Sequence, residues 1–268
     1  MRVNINCGHT LKGADTGTRA YHQEVLYAEE VYTRLLGNEL KNVLVAAGHI
    51  VNMSIVDYAA TLDESLSKQT ELCNSFTADI NICLHFNSCA SHEGRGIEIF
   101  TYQGRSLPQA LSVLSNYEKL GFSNRGIKQA NLYLINETNA ETLYIENCFI
   151  DNVNDVATMN KVGLNAMARA IANGIDNNIN LEVNKEEEYD LENIVVYMND
   201  IDKRAAEYLA DYLKCPIMDG RRAPFDYSRM KNVYCVGGEK GQFTCYCTNH
   251  ITGTNRYNTM QAVLNFIG

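Results

Sequence analysis

The chain has 268 residues, of which 46% are hydrophobic and 21% charged. That length suits one large or two ordinary domains, and the composition is globular rather than disordered or bilayer-embedded. A net charge of -9, from 23 basic against 32 acidic residues, gives no basic face to track a phosphate backbone and argues against a nucleic-acid partner. No apolar run approaches the roughly 20 residues of a membrane span, so no membrane partner is expected either.

The N-terminal Met1-Arg2-Val3-Asn4 turns polar at once, without the apolar core of a signal peptide. The expected localisation is the cytoplasm of the producing cell, until another protein releases the chain. Nine cysteines without a framework spacing read as reduced thiols. The six histidines, His9, His22, His49, His85, His92 and His250, bound any metal chemistry.

In chain order, residues 3–6 alternate and form a strand running into Cys7-Gly8-His9, followed by a glycine-rich loop from Gly13 to Gly17. Val31, Leu35, Leu36, Leu40, Val43 and Leu44 recur at helical spacing, predicting a helix over about 27–47 that Gly48 closes. A strand is expected over 49–56, and a helix over 62–76 with acidic residues in its first turn. Strands follow over 79–86 and 96–102, then a helix over 108–119 with Pro108 in its first turn. A strand over 143–150 and a helix over about 154–173 complete the series. The alternation predicts an α/β fold, a twisted and mostly parallel sheet flanked by helices.

The pattern changes after Ile175. The run from Lys185 to Glu192 is acidic and self-repelling, as linkers are. The expected organisation is a catalytic domain at 1–180, an acidic linker at 181–192 and a small α/β module at 193–268. In that module, strands are predicted over 194–197 and 232–236, and helices over 202–213 and 257–266. Half of the sixteen tyrosines lie from Tyr189 onward, which enriches the module in aromatic side chains.

Three segments have metal-site character: Cys7-Gly8-His9 at the exit of the first strand, Leu84-His85-Phe86-Asn87 at the exit of a central strand, and Tyr144-Ile145-Glu146-Asn147 in a late strand. Functional groups in open α/β sheets gather at the carboxyl ends of strands. Two imidazoles and a carboxylate, with an open position for water, make a common hydrolytic zinc set. Each segment alone is a weak signal, because a lone strand histidine is more often a hydrogen-bonded core residue.

Together, in this order, the segments resemble the zinc-dependent N-acetylmuramoyl-L-alanine amidase family. That family opens with a strand and Gly-His, places a glutamate at the start of the first helix, continues with Ser-Ile-His-x-Asn, and carries its catalytic glutamate on a late strand. Gly8-His9, Cys83-Leu84-His85-Phe86-Asn87 and Tyr144-Ile145-Glu146-Asn147 fill three of those places, with Gly96-Ile97-Glu98 and Asn124-Arg125-Gly126 between them. The similarity covers about residues 1–175. It implies one Zn²⁺ per chain held by His9, Glu29 and His85, with Glu146 as the catalytic acid–base and Asn87 and Arg125 contacting substrate. The implied substrate is peptidoglycan, cut at the amide between N-acetylmuramic acid and L-alanine.

Within that resemblance, counting back from Gly48 and aligning Tyr32, Leu36, Leu40 and Leu44 on the buried face selects Glu29 as the third ligand. Glu24, in the loop before the helix, is the alternative, whereas Glu30 points about 100° around the helix from Glu29. Cys7 and His9, Cys83 and His85, and Glu146 and Cys148 are each two apart. Such pairs share a strand face, so the three thiols are expected as a layer beneath the metal, packing as small apolar groups. His49 reads as part of a helix-end turn, His22 and His92 as loop residues near the cleft, and His250 as belonging to the other module. Cys245-Tyr246-Cys247 reads as a strand or turn with two free thiols.

From Val195-Val196-Tyr197 to Gly268 the chain resembles the C-terminal wall-binding module of clostridial phage endolysins. The resemblance rests on the run from Arg204 to Ala210, Cys215-Pro216-Ile217, the run from Val233 to Gly238, and the run from Thr259 to Leu264. It implies a bacterial wall polymer as second partner and a role in host lysis. It also implies homo-oligomer formation through this module, with Val195 and Met198 placed where an internal start would yield the module alone. The competing reading of the module is a packing or dimerisation subdomain. For the whole chain the competing readings are a zinc peptidase acting on wall peptides, for which six histidines leave little room for a second metal, and a non-catalytic wall-binding protein.

Overall fold

The computed structural model describes residues 1–22, 25–182, 191–221, 227–243 and 246–268. Glu24, most of the expected linker and Cys245 lie outside the described residues. The chain divides into two compact units, one of Met1–Ala20 with Tyr27–Val183 and one of Tyr21–Leu26 with Asn184–Gly268.

Up to residue 175 the chain forms, in order, β1 (Arg2–Cys7), the short β2 (Lys12–Gly13), β3 (Arg19–His22) and β4 (Val25–Ala28), whose Tyr21–Leu26 portion groups with the second unit, then α1 (Glu29–Ala46), β5 (Ile50–Ser54) and the short β6 (Tyr58–Ala59). It continues with α2 (Leu62–Ser75), β7 (Ile80–Asn87), β8 (Ile97–Phe100), α3 (Pro108–Leu120), β9 (Asn124–Lys128), α4 (Tyr133–Glu137), β10 (Thr142–Phe149), α5 (Val153–Val162) and α6 (Leu164–Ile175). Six strands form one sheet in the order β5-β1-β7-β10-β8-β9. The first four run parallel, β8 is antiparallel to β10, and β9 is parallel to β8. This is the expected α/β architecture, mostly parallel, with an antiparallel step at β8.

Helices α1 and α3 pack on the strands, α6 packs against both of them, and α2 packs with α4 and with β1. The alternation of β1 sorts its side chains: Cys7 lies against Gly37 of α1, while Asn4 and Asn6 bond to Ser54 and its neighbour Asn52. Both faces of the strand are buried, as central strands of covered parallel sheets are.

Three local departures have identifiable causes. α1 begins at Glu29 rather than Tyr27 because Tyr27 and Ala28 complete β4, which pairs with β3. The single helix expected over 154–173 is two helices, because Gly163 takes φ 81° and ψ 157° and breaks the ladder. β9, reading Asn-Arg-Gly-Ile-Lys, is an edge strand whose polar sequence carries no apolar alternation.

The second unit contains β11 (Leu191–Tyr197), α7 (Lys203–Leu213), β12 (Ile217–Asp219), β13 (Met230–Val236), β14 (Asn249–Ile251) and α8 (Arg256–Ile267). Its sheet, in the order β12-β11-β13-β14, is parallel throughout. Val195, Tyr197, Val236 and Ile251 pack with Ala205, Ala206 and Leu209 of α7 and Val263 of α8. Ile194, Val196, Val233 and Cys235, which alternate with them along β11 and β13, form a separate cluster with Met230 and Phe243. The unit therefore has apolar packing on both faces of its sheet. Among the described residues no helix is long and apolar enough to cross a membrane.

Candidate metal centre

The carboxyl ends of β1 and β7 and the start of α1 meet at one place. β1 and β7 are paired in register, with Cys7 opposite Leu84, so Gly8-His9 and His85-Phe86 leave the sheet side by side. Gly8 donates its N–H to the Leu84 carbonyl at 3.0 Å. A side chain at Gly8 would overlap the His85 ring, with a Cβ only 2.2 Å from Cε1; this glycine lets the backbone of one segment pass under the imidazole of the other. His9 itself has φ 66°, a left-handed conformation uncommon for a residue with a Cβ and often found at functional sites.

The helix that supplies Glu29 also anchors that turn. Thr33 donates its hydroxyl to the Gly8 carbonyl at 3.0 Å, and buried Arg34 donates to the His9 carbonyl at 3.2 Å and the Val56 carbonyl at 2.9 Å. Glu29 occupies the first turn of α1, where the helix dipole favours a negative charge.

His9, Glu29 and His85 converge, with one donor atom from each lying within 4.8 Å of the others. Glu29 Oε1 is 3.2 Å from His9 Nε2 and 3.1 Å from His85 Nδ1, and it accepts the Phe86 N–H at 2.9 Å. Glu29 Oε2 accepts the Thr18 N–H at 2.9 Å. The two imidazoles meet edge to face with centroids 4.9 Å apart, and Tyr144 stacks on His85 at 4.2 Å. Burial opposes ionisation of Glu29, but hydrogen bonds from His85 and His9 outweigh it and hold the carboxyl well below the usual range. Burial alone would lower the affinity of His9 for a proton, yet Asp15 and Glu29 raise its pKa to about 10. Burial dominates at His85 and lowers it.

Glu146 sits directly across from His85 in the β10–β7 pairing and across from Glu98 in the β10–β8 pairing. Its Oε2 is enclosed without a hydrogen-bond partner. Burial, then the charges of Glu29 and Glu98, push its pKa well above the ordinary carboxylate value. A carboxyl so placed suits proton transfer.

The residues fit a divalent metal on their own chemistry. Two imidazole nitrogens and a carboxylate face one point, and buried His85 Nε2 has no partner. Two histidines with one carboxylate is a donor set that zinc uses in hydrolases. Among the described residues no other group of three such side chains converges in this way.

Of the two glutamates that could complete the donor set, Glu29 joins the two histidines, while Glu24 lies outside the described residues. Asn87 and Arg125 are brought together, but by a residue that the sequence did not single out for the site: Glu98 accepts Asn87 Nδ2 at 2.8 Å and Arg125 Nε at 2.7 Å. Glu98 stood in the sequence only as the end of Gly96-Ile97-Glu98, a segment of the family resemblance, and as a charge alternating with Ile97 and Ile99 in a strand. Asp15, which contacts His9, was also missed; it stands in the glycine-rich loop between Gly13 and Gly17.

The cysteine layer is a correction. Cys7 pairs with Leu84 and Cys83 with Asn6, so the two thiols point to opposite faces of the sheet: Cys7 toward α1, and Cys83 into a cluster with Cys73 of α2. Sharing a strand face with a nearby histidine did not put them on the same face as each other, because His9 lies beyond the end of β1. His49 pairs with Asp176 at 3.1 Å, His92 with Asp151 at 2.8 Å, and His250 with the Gly237 carbonyl at 3.0 Å. His22 ends β3.

Residues 3–177 match the N-acetylmuramoyl-L-alanine amidase family. The chain is 29% identical over 193 residues to the N-acetylmuramoyl-L-alanine amidase CwlM of Bacillus licheniformis, covering 69% of this chain and 71% of that protein. It is 30% identical over 189 residues to the sporulation-specific N-acetylmuramoyl-L-alanine amidase of Bacillus subtilis (strain 168), covering 68% and 69%. Among solved structures it is similar to the catalytic domain of the CD27L endolysin targeting Clostridia difficile, with TM-score 0.58 and 29% identity over 66% of this chain and 97% of that one.

Proposed function

The chain belongs to the N-acetylmuramoyl-L-alanine amidase family and is a peptidoglycan amidase; we propose that it is zinc-dependent, cuts the amide between N-acetylmuramic acid and L-alanine, and serves as a phage endolysin in host lysis. The observation that carries the zinc reading is the convergence of His9, Glu29 and His85 beside a carboxyl with an unpartnered oxygen, Glu146. The endolysin reading is supported by likeness to an endolysin catalytic domain. The second unit, in this reading, binds a wall polymer and keeps the enzyme on its insoluble substrate.

His9, Glu29 and His85 would hold the metal. Bound there, zinc supplies Lewis acidity toward the scissile carbonyl and toward water. Glu146 takes the proton from the attacking water and passes it to the leaving amine of L-alanine. Its raised proton affinity suits the second half of that task, since the carboxyl must hold the proton until the amide nitrogen accepts it. Asn87 and Arg125, fixed by Glu98, orient the glycopeptide on the neighbouring wall of the site.

Digestion of purified cell walls tests the proposal. The expected result is chelator-sensitive lysis that releases L-alanine amino termini, abolished in Glu146→Gln while zinc binding survives. New reducing sugar ends, or an amino terminus on a residue other than L-alanine, would replace the muramoyl-amide reading. Lysis indifferent to chelators would remove zinc from it.

A further inference from the structure

The cluster of His9, Glu29 and His85 is supported from α2, a helix that supplies none of its donor atoms. His9 follows the end of β1 in a left-handed conformation, so the strand does not fix its ring. Its Nδ1 lies 2.6 Å from Asp15 Oδ1. The loop between them closes on itself: Thr10 donates both its N–H, at 2.7 Å, and its hydroxyl, at 3.0 Å, to the Asp15 carbonyl. The loop is docked through the pairing of β2 with β6, which only Ala60 and Thr61 separate from α2.

Asp15 is buried, and its second oxygen accepts the Ser65 hydroxyl at 2.6 Å. Gln69, one turn along α2, donates to Ser65 Oγ at 2.9 Å. Ser65 and Gln69 are both fully enclosed. The carboxylate thus has one oxygen on the histidine and the other on the helix. With Nδ1 committed to Asp15, the nitrogen of His9 that faces Glu29 is Nε2.

We infer that Asp15, held in place by Ser65 and Gln69, is the positioning residue of the metal centre: it fixes the ring and tautomer of His9 so that Nε2 presents its lone pair to the cation. The inference rests on reading His9, Glu29 and His85 as a metal site. A carboxylate on the far nitrogen of a ligating imidazole orients the ring and increases its basicity, and losing such a partner costs about 10–100-fold in metal affinity. A loop clasp with no bearing on the metal would instead lower stability and leave affinity unchanged.

The test uses the full chain and four readouts: zinc affinity by competition with a chromophoric chelator, the visible spectrum after Co²⁺ loading, kcat and KM on a soluble muramoyl peptide, and thermal unfolding of the chelator-treated protein. For Asp15→Ala the expected loss of zinc affinity is about 10–100-fold, with a displaced Co²⁺ band and a fall in kcat at unchanged KM. Asp15→Asn, whose amide oxygen still accepts from Nδ1–H, recovers part of the affinity. Ser65→Ala falls between the parent and Asp15→Ala; it and Asp15→Asn carry the test if Asp15→Ala does not fold. Variants that bind zinc within twofold of the parent, with or without lower thermal stability, overturn the inference. A parent chain that binds neither Zn²⁺ nor Co²⁺ overturns the metal-site reading itself, a result distinct from equal binding by parent and variants.

Discussion

Glu146 and Glu98 face each other across β10 and β8, and they are treated differently by their surroundings. Glu98 is bonded to Asn87 and Arg125, whereas Glu146 Oε2 has no partner. The two carboxyls therefore have different tasks: Glu98 holds Asn87 and Arg125, while burial and neighbouring charges make Glu146 bind a proton more tightly. Glu98 is one of the charges that raise Glu146. As a base Glu146 must be ionised, so activity is lost as pH falls through its pKa. Glu98→Gln removes a like charge and lowers that pKa, moving the acid limb of kcat/KM to lower pH by about one unit, or roughly 1.4 kcal/mol of interaction. A pH–rate profile of the variant checks this; an unmoved acid limb would mean that Glu98 does not tune Glu146.

Gly8 permits the close passage of β1 under His85, so its substitution should act through the ring. Gly8→Ala places a methyl 2.2 Å from His85 Cε1, and the ring must move by about an ångström to restore ordinary contact. The strands beneath are paired and buried, so the expected effect is on function before folding. Misplacing a catalytic group by about 1 Å costs on the order of 100-fold in rate. Activity should fall by about that factor with zinc affinity reduced, while far-ultraviolet circular dichroism stays close to that of the parent. Full activity would show that His85 has room to shift without cost.

Much of this arrangement was legible in the sequence, and the parts that were not share a cause. Strand β1 announced itself by a β-branched alternation running into Gly8-His9, β7 by an apolar run ending at His85-Phe86-Asn87 and β10 by a late strand carrying Glu146, and the periodicity of α1 carried Glu29 to its first turn. Neither signal depends on distant parts of the chain. The contacts of Asp15 with His9 and Ser65, and of Glu98 with Asn87 and Arg125, join residues 6, 50, 11 and 27 positions apart. The Glu98 pairings follow from strand order and the Asp15 pairings from how its loop closes and meets α2, neither of which a local pattern encodes. The cysteine reading failed for the same reason: the relative facing of Cys7 and Cys83 depends on the β1–β7 register, and a shift of one residue would have reversed it. The break at Gly163 was foreseeable only as an isolated glycine in a helical pattern, which helices often tolerate.

Arg34 should matter for stability more than for chemistry. Its buried guanidinium donates to the carbonyls of Glu30, His9 and Val56, and to Asp57, which is largely exposed. Arg34→Leu leaves those three carbonyls without this donor in a site that water reaches poorly. An orphaned buried polar group costs about 1–3 kcal/mol, and partial relaxation makes the sum smaller than three such terms. The expected destabilisation is about 2–4 kcal/mol, read as a lower denaturant midpoint at unchanged slope. Zinc affinity should fall with it, because the freed His9 carbonyl loosens the left-handed turn. A midpoint within experimental error of the parent would show that water replaces the guanidinium.

The second unit should act without the first. It has apolar packing on both faces of a parallel sheet, with α7 and α8 contributing to one cluster and Met230, Val233, Cys235 and Phe243 to the other, so it has the material of an independent core. If it holds the wall, residues 191–268 produced alone should sediment with purified cell walls, and chelators should not release them, since the metal donors are all in the other unit. Added in excess, this segment should slow wall lysis by the full chain and leave hydrolysis of a soluble muramoyl peptide untouched. Tethering raises overall avidity by about 100–10,000-fold, so competition for the wall should be visible well below saturation of the catalytic site. Recovery of the segment in the supernatant, with lysis unaffected, would assign the unit to packing or self-association instead.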